Sequence, residues 1–600
     1  MINKITAQII AIFGLLIFFP TQTQAIAKFN TSYQINYQVQ ESGTTRVNFV
    51  INQKNNLSVV YATDYGISIN ETNLENVKIK DEGTPVVPDI IKSLNQTSIS
   101  FPFINKIVGK DKNHTFTIEY DTKNVATKFG NTWQIDIPRL EPDENVTEQT
   151  VVLTVPPGFS TPVYIDPKPD IVSGNTYYFS GNKISNKSIS AIFGKTQYYK
   201  GKISYHLANP DRDKIKTEIA LPPDTSYQTV FYEGLTPKPA EVYTDKDRNI
   251  LAVYYLNPKE NLDVVLDLAV RLDFNPKPSL TQPSDSYLLR NDIWNYDNNI
   301  FTTPEIKNLK TAKSIYDFVA DKLKYDYSKL SRQKPTRTPA AESLMNNLSA
   351  ICTDFTDIFV ALARKAGIHA RELEGFAISE NPDLKPISLT QDVLHAWPEY
   401  FDKTKSTWIQ VDPTWANTTR GIDYFNKLDF NHIVFAIHGT QPDYPVPAGG
   451  YKNGDNGKSI SIEPVGEMQF PKPTFKVEFV KQEGDNLEFK VTNTSGVSYV
   501  GSAKVSGNDF IEAVDQVIDL APFSSATVMG KAVKQPFVSK DDLKVIIYID
   551  GQPYESTATV GSSSTPGIIL AGIGGVLAIS LVTAWGLHLR RRQQKTSLYR

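Results

Sequence analysis

From about residue 28 to 195 the chain alternates polar and apolar positions. Tyr33-Gln34-Ile35-Asn36-Tyr37-Gln38-Val39 keeps a period of two, and so does Thr115-Phe116-Thr117-Ile118-Glu119-Tyr120. That spacing sends alternate side chains to opposite faces of a strand, one buried and one solvated. Pro156-Pro157-Gly158 and Asp166-Pro167-Lys168-Pro169 punctuate the end of the block. A second strand-rich block covers about 196–280. In it the cluster Asp245-Lys246-Asp247-Arg248-Asn249 lies between Ala240-Glu241-Val242-Tyr243 and Ile250-Leu251-Ala252-Val253-Tyr254-Tyr255. A turn cluster between apolar runs predicts a hairpin. Asn275-Pro276-Lys277-Pro278 reads as a linker.

Near residue 303 the period changes. Ile306, Leu309, Ala312, Ile315, Tyr316, Val319, Ala320 and Leu323 recur at spacings of three and four. They predict an amphipathic helix over about 304–324, with Thr303 as its N-cap and Pro304 at its first position. A second helix of two turns follows Thr338-Pro339. A third opens at Cys352, buries Phe355, Ile358, Phe359, Leu362, Ala363 and Ala366, and stops at Gly367 as a left-handed residue. Strands are expected at 370–377, 394–401 and 407–412. Residues 440–470 are rich in Gly, Pro, Asn and Asp, and 472–560 alternate again, which suggests a β-sandwich near a membrane.

The two ends break both periods. Residues 1–27 open with Lys4, run through Ile9-Ile10-Ala11-Ile12-Phe13-Gly14-Leu15-Leu16-Ile17-Phe18-Phe19 and end in Ala25-Ile26-Ala27, the pattern of a secretory leader. Residues 568–589 carry no charge apart from His588 and are followed by Arg590-Arg591-Arg592. Their length suits one membrane crossing, and the arginines place the 590–600 tail in the cytoplasm with the bulk of the chain outside. The expected location is thus the cell membrane, crossed once. Six hundred residues exceed what a single core usually serves. The net charge of -3 lacks the basic footprint that nucleic acid requires.

The chain has one cysteine, which excludes internal disulfides and leaves a lone thiol to be placed. Cys352 stands at a predicted helix start, where the dipole and free N–H groups favour a thiolate. Asp354 and Asp357 oppose that by charge. His395, in a strand-like run, is a candidate base for the thiol. Asp412 ends the next run, Trp408-Ile409-Gln410-Val411, and an antiparallel pairing would bring it to the His395 ring. Spacing alone makes this weak, because the same residue types occur everywhere.

The surrounding words add more. Ile351-Cys352-Thr353-Asp354-Phe355 through Arg364-Lys365-Ala366-Gly367-Ile368-His369-Ala370-Arg371 resembles the cysteine segment of the transglutaminase-like superfamily. His395-Ala396-Trp397-Pro398-Glu399 and Trp408-Ile409-Gln410-Val411-Asp412-Pro413-Thr414 resemble its histidine and aspartate segments, in the family's order. Ala350 stands where the family often has Gly, and His369 where it often has Pro. The resemblance covers about 300–440 and implies a papain-like α+β core there; with the strand blocks and the apolar C-terminal run, the expected fold is multidomain, that core flanked by all-β sandwich-like domains plus one C-terminal transmembrane helix. The resemblance also implies Cys352 as nucleophile, His395 as general base and acid, and Asp412 as orienting group. The organisation is then a signal peptide at 1–27, β domains at 28–195 and 196–280, the catalytic domain at 285–440, a membrane-proximal sandwich at 470–560, and the span at 568–589.

Other residues have plainer readings. Trp397 and Trp408 read as core; Trp415 and His369 are candidates for the substrate cleft. His432 reads as a structural partner of Asp429, with a second site as the other option. Arg364 and Arg371 are expected to pair with acids. No Cys/His cluster has zinc spacing, no phosphate-binding loop and no EF-hand loop appears, and no cofactor or metal is expected. The expected activity is thioester chemistry on amides of proteins or peptides outside the cell, as peptidase, deamidase or cross-linker. The alternative is a catalytically silent surface adhesion or scaffold protein.

Overall fold

The structure, a computed structural model, describes residues 27–560 except 94–95, 141–144, 160, 185–186, 280–281, 332–336, 347–348, 380–384, 388–393, 420–421, 452–457, 507–510 and 534–540. It forms two compact units. One runs to Lys472 and takes in Gly496–Ser498; the other comprises Pro473–Ser495 and the chain from Tyr499.

The first unit opens with an eight-stranded sheet centred on Phe29–Val39, Thr45–Asn55 and Asn113–Thr122. Its period-two alternation buries Ile35, Tyr37, Val47, Phe49, Phe116 and Ile118 on one face. Thr196–Ala208 and Asn261–Asp273 then pair along their whole length. The later strand Ile460–Val465 returns to the free side of Thr196–Ala208. Glu241–Thr244 and Ile250–Leu256 form the antiparallel hairpin expected there.

The helices gather between residues 304 and 418. After a single turn at Pro304–Lys307 come α1 (Ala312–Lys322), α2 (Ala340–Met345), α3 (Cys352–Lys365) and α4 (Pro413–Thr418). They lie with a four-stranded antiparallel sheet of β1 (Ala370–Ala377), β2 (Leu394–Asp402), β3 (Thr407–Gln410) and β4 (His432–His438), in the order β3-β2-β1-β4. α3 packs on β1 and β2 through Phe355, Ile358, Phe359 and Leu362. Gly367 ends it with a φ of 77°, and Ile368 N–H closes onto Ala363 O at 2.9 Å.

The fold class needs correction. The described chain is predominantly β, 51% strand against 11% helix, and does not present the expected papain-like α+β core. The helical stripes are real but short, and capping side chains divide them. The helix expected over 304–324 breaks before Thr311, whose Oγ1 accepts from Ser314 N–H at 3.1 Å while Ser314 Oγ accepts from Thr311 N–H at 3.2 Å. That reciprocal cap starts a new helix. Among the described residues no helix is long and apolar enough to cross a membrane. The spans read as leader and membrane helix, 1–27 and 568–589, lie outside the described residues, Ala27 excepted.

β4 is a sheet edge, so one row of its peptide groups needs partners from elsewhere. Two buried amides supply them. Gln228 accepts from Val434 N–H at 2.9 Å and donates to Val434 O at 2.9 Å. Asn249 does the same for Ile437, at 2.7 and 2.8 Å. The strand-rich block at 196–280 thereby holds β4 in register. Gly375 on β1 marks a bulge against β4, where an added Cβ would lie 2.0 Å from Ile433 O.

In the second unit two four-stranded sheets enclose one apolar core that includes Leu487, Phe489, Val491, Val505, Val528, Val545 and Ile547.

Candidate active site

Three neighbouring elements deliver the site. Cys352 is the first residue of α3 and is 2% exposed. His395 is the second residue of β2, and Asp412 caps α4 rather than ending a strand. Asp412 Oδ1 accepts from Thr414 and Trp415 N–H at 2.8 and 3.0 Å, with Pro413 at the first helical position. The cap aims Oδ2 at His395, whose Nε2 donates to it at 3.0 Å. This leaves Nδ1 as the nitrogen available to the thiol. Nδ1 has no hydrogen-bond partner among the described residues, and Cys352 is among the groups that favour the protonated ring.

The imidazole is clamped. Trp415 stacks on it at 5.2 Å and 21°, and Trp397 at 5.9 Å and 20°. Trp415 is fully buried and donates Nε1–H to Pro386 O at 3.0 Å, so it lines no open surface. Trp397 donates to Gln410 at 3.1 Å, and Trp408 lies under Arg371 at 4.0 Å. The acids that the sequence sets against the thiolate are engaged elsewhere. Asp354 accepts from Ile351 N–H at 2.9 Å and Ser343 Oγ at 2.7 Å. Asp357 accepts from Trp294 Nε1 and Arg337, both at 2.6 Å.

Residues 297–413 match the family model described as the transglutaminase-like superfamily. The chain carries a transglutaminase-like domain. No curated protein matches it. Among solved structures it is similar to a candidate cysteine protease from Cytophaga hutchinsonii at 15% identity and TM-score 0.30, over 56% of this chain and 98% of that one. The periplasmic domain of TgpA from Pseudomonas aeruginosa, bound to ethylmercury, aligns at 12% identity and TM-score 0.21, over 37% and 91%. Leukotriene A4 hydrolase of yeast aligns at 12% and TM-score 0.20, over 28% of this chain and 29% of its own length. With TM-scores this low, the functional reading rests on the site's own geometry.

Two sequence candidates take other places in the transglutaminase-like domain. His369 lies beyond the far end of α3, whose 14 residues span about 21 Å, so it is remote from Cys352. Its nearest acid is Asp285, at 3.5 Å. Arg364 binds carbonyls instead of acids, donating to Leu289, Ala370 and Gly439, whereas Arg371 does bind Glu399 at 2.5 Å. His432 bonds Asp429 through Nδ1 at 2.7 Å, as expected, and reaches Asp412 Oδ2 through Nε2 at 3.3 Å. One carboxylate oxygen thus serves two imidazoles. The Asp429–His432 spacing was visible in the sequence; the link to Asp412 needed the fold.

Burial works against charge on all three groups, and mutual pairing outweighs it. His395 is raised to about 9, chiefly by Asp412. His432 is raised to about 9 by Asp429 and Asp412. Asp412 is held well below the usual carboxylate range by the two imidazoles. Donor atoms of His395, Asp412 and His432 lie within 4.8 Å of one another, a spacing that a divalent cation also uses. A metal needs the neutral imidazole lone pair. Here both rings hold their protons toward Asp412, so we read the group as hydrogen bonded.

Proposed function

We propose that the protein is a cysteine acyl-transfer enzyme acting on amide bonds of proteins or peptides through a thioester. One observation carries this reading: Cys352, at the first turn of α3, lies beside an imidazole whose opposite nitrogen is held by a buried carboxylate at 3.0 Å. Nδ1 of the His395 imidazolium holds the proton that the thiol gives up, and the sulfur pair forms a bond to the carbonyl carbon. The carbonyl π pair moves to oxygen. On collapse the C–N bond breaks, and the leaving amine or ammonia takes the proton back from Nδ1. Water or a primary amine then attacks the thioester and gives a proton to the now neutral Nδ1, and the C–S bond breaks with the sulfur leaving as thiolate. Water on a main-chain acyl group gives a peptidase, and on a side-chain acyl group a deamidase; a lysine amine gives an isopeptide cross-link.

Placement outside the cytoplasm belongs to the same proposal. It rests on the leader pattern of residues 1–27, and the substrates would then be proteins or peptides outside the cell. The test is incubation with a library of glutamine-containing peptides and a primary amine, followed by mass spectrometry. Amine addition, a gain of about one dalton, or chain cleavage names the reaction. If no product depends on Cys352, the reading fails and the silent scaffold stands.

A further inference from the structure

Two buried tyrosines near the site end in hydroxyls with no hydrogen-bond partner among the described residues, Tyr325 and Tyr424. Their surroundings differ. The charges acting on Tyr424 are foremost Asp136, Asp429 and Asp412, on the carboxylate side of the site. For Tyr325 the foremost charged neighbour is Cys352 itself.

The backbone explains that placement. Lys324–Tyr325 pairs in parallel with Ser349–Ala350, Tyr325 opposite Ala350, and Asp326 N–H donates to Ala350 O at 2.9 Å. The partner strand runs through Ile351 straight into Cys352, so Tyr325 lies alongside the residues that deliver the nucleophile. Its ring is 6.3 Å from Phe355, one turn into α3, and 4.9 Å edge-on from Tyr327. From the other side, Asn417 on α4 donates to Ala320 O at 2.8 Å and Leu323 O at 2.9 Å. That ties the same stretch to the helix capped by Asp412. Tyr325 is 7% exposed. Burial first, and Cys352 next, hold its phenol well above the ordinary value, so it keeps its proton.

A buried hydroxyl without an acceptor is costly in the resting protein. The first N–H groups of a helix also lack intrahelical acceptors, and α3 presents them at Cys352. The Tyr325 hydroxyl, without a partner among the described residues, and the opening N–H groups of α3 therefore belong to two adjoining stretches of chain. We propose that the Tyr325 hydroxyl is the side-chain donor of an oxyanion site, acting with the main-chain N–H of Cys352 on the oxygen of the tetrahedral adduct. As sulfur bonds to the carbonyl carbon, the π pair moves to oxygen and Tyr325 donates a hydrogen bond to it while keeping its own proton. When the leaving group departs, the pair returns to the carbonyl and the hydroxyl is released. Donors left empty at rest and filled only as charge develops stabilise the transition state over the ground state.

This inference rests on Cys352 being the nucleophile, and the experiment separates the two. The full chain, Tyr325→Phe and Cys352→Ala are each treated with p-nitrophenyl acetate, whose attack passes through an oxyanion, and with iodoacetamide, whose displacement does not. Tyr325→Phe acylates at least tenfold more slowly while alkylation of Cys352 stays within twofold. Equal acylation by Tyr325→Phe and the native chain overturns the tyrosine assignment alone. A native chain that acylates no faster than Cys352→Ala overturns the cysteine-enzyme reading and the assignment with it. If Tyr325→Phe does not fold, 2,3-difluorotyrosine at position 325 supplies a stronger donor of the same shape. It raises the acylation rate and leaves alkylation unchanged; an unchanged acylation rate contradicts the proposal.

Discussion

His432 and His438 open and close the same strand. Both are buried, both use both ring nitrogens, and both are raised to about 9 by carboxylates that outweigh burial. His438 binds Glu372 at 3.3 Å and Pro445 O at 2.9 Å, and Glu372 in turn meets Arg337, which also binds Asp357. That network joins a cation to carboxylates and reaches no nucleophile. His432 shares its carboxylate with a second imidazole, and that imidazole keeps one nitrogen open beside a thiol. The difference teaches that a shifted titration does not mark a site by itself. A ring nitrogen without a hydrogen-bond partner among the described residues, on the imidazole that serves the nucleophile, does.

The comparison can be broken at several points. The largest effect is expected from the shared carboxylate: Asp412→Asn lowers Cys352-dependent acyl transfer on the order of 1000-fold, because an amide neither holds the imidazolium nor fixes its tautomer. Activity within tenfold of native in that variant would remove Asp412 from the site. Next, His432→Gln lowers acyl transfer roughly tenfold by loosening Asp412. His438→Gln leaves turnover within about twofold and instead costs stability, about 1–3 kcal/mol in chemical denaturation. Equal kinetic losses in the two variants would erase the distinction between them.

A smaller effect concerns pH. His395, His432 and His438 sit near 9 in the fold and near ~6.5 when unfolded. Their contribution to stability is full below ~6.5 and is lost as pH rises through about 9. Asp412 has the opposite sign: its contribution is present above about 4 and fades as pH falls toward its lowered folded value. Thermal unfolding from pH 6 to 10 should show falling stability, and acyl transfer should decline near pH 9 as His395 loses the proton it returns to the leaving group. A flat stability profile over that range would contradict the buried imidazolium ions. The smallest effect is at the sheet edge: Gln228→Ala leaves Val434 unpaired and costs about 1–2 kcal/mol, read by denaturant midpoint.

The site was legible to the extent that its chemistry is local. The words around Cys352, His395 and Asp412 each carry their own helix start or strand pattern, and the fold brings His395 and Asp412 within 3.0 Å. Asp412 was misread as a strand end although Asp-Pro is a helix-start signal, because the apolar run before it dominated the pattern. His369, a cleft candidate from the sequence, follows the cysteine word closely, but the helix between them carries it away from Cys352. The division of the 304–324 helix is written in Thr311 and Ser314 and was overridden by an apolar stripe that continues across the break. The grip of Gln228 and Asn249 on β4 joins residues about 200 apart, and no periodicity encodes that. The predominance of strand is legible block by block in the alternating runs, whereas the α+β core expected for one segment is not what the described chain presents.

The central claim is that Cys352 and His395 act as a pair. The direct measurement is the rate at which iodoacetamide alkylates Cys352 at pH 7 in the native chain and in His395→Ala. The account predicts that the variant reacts at least tenfold more slowly, with its thermal midpoint measured alongside. Equal rates in two folded proteins would contradict it.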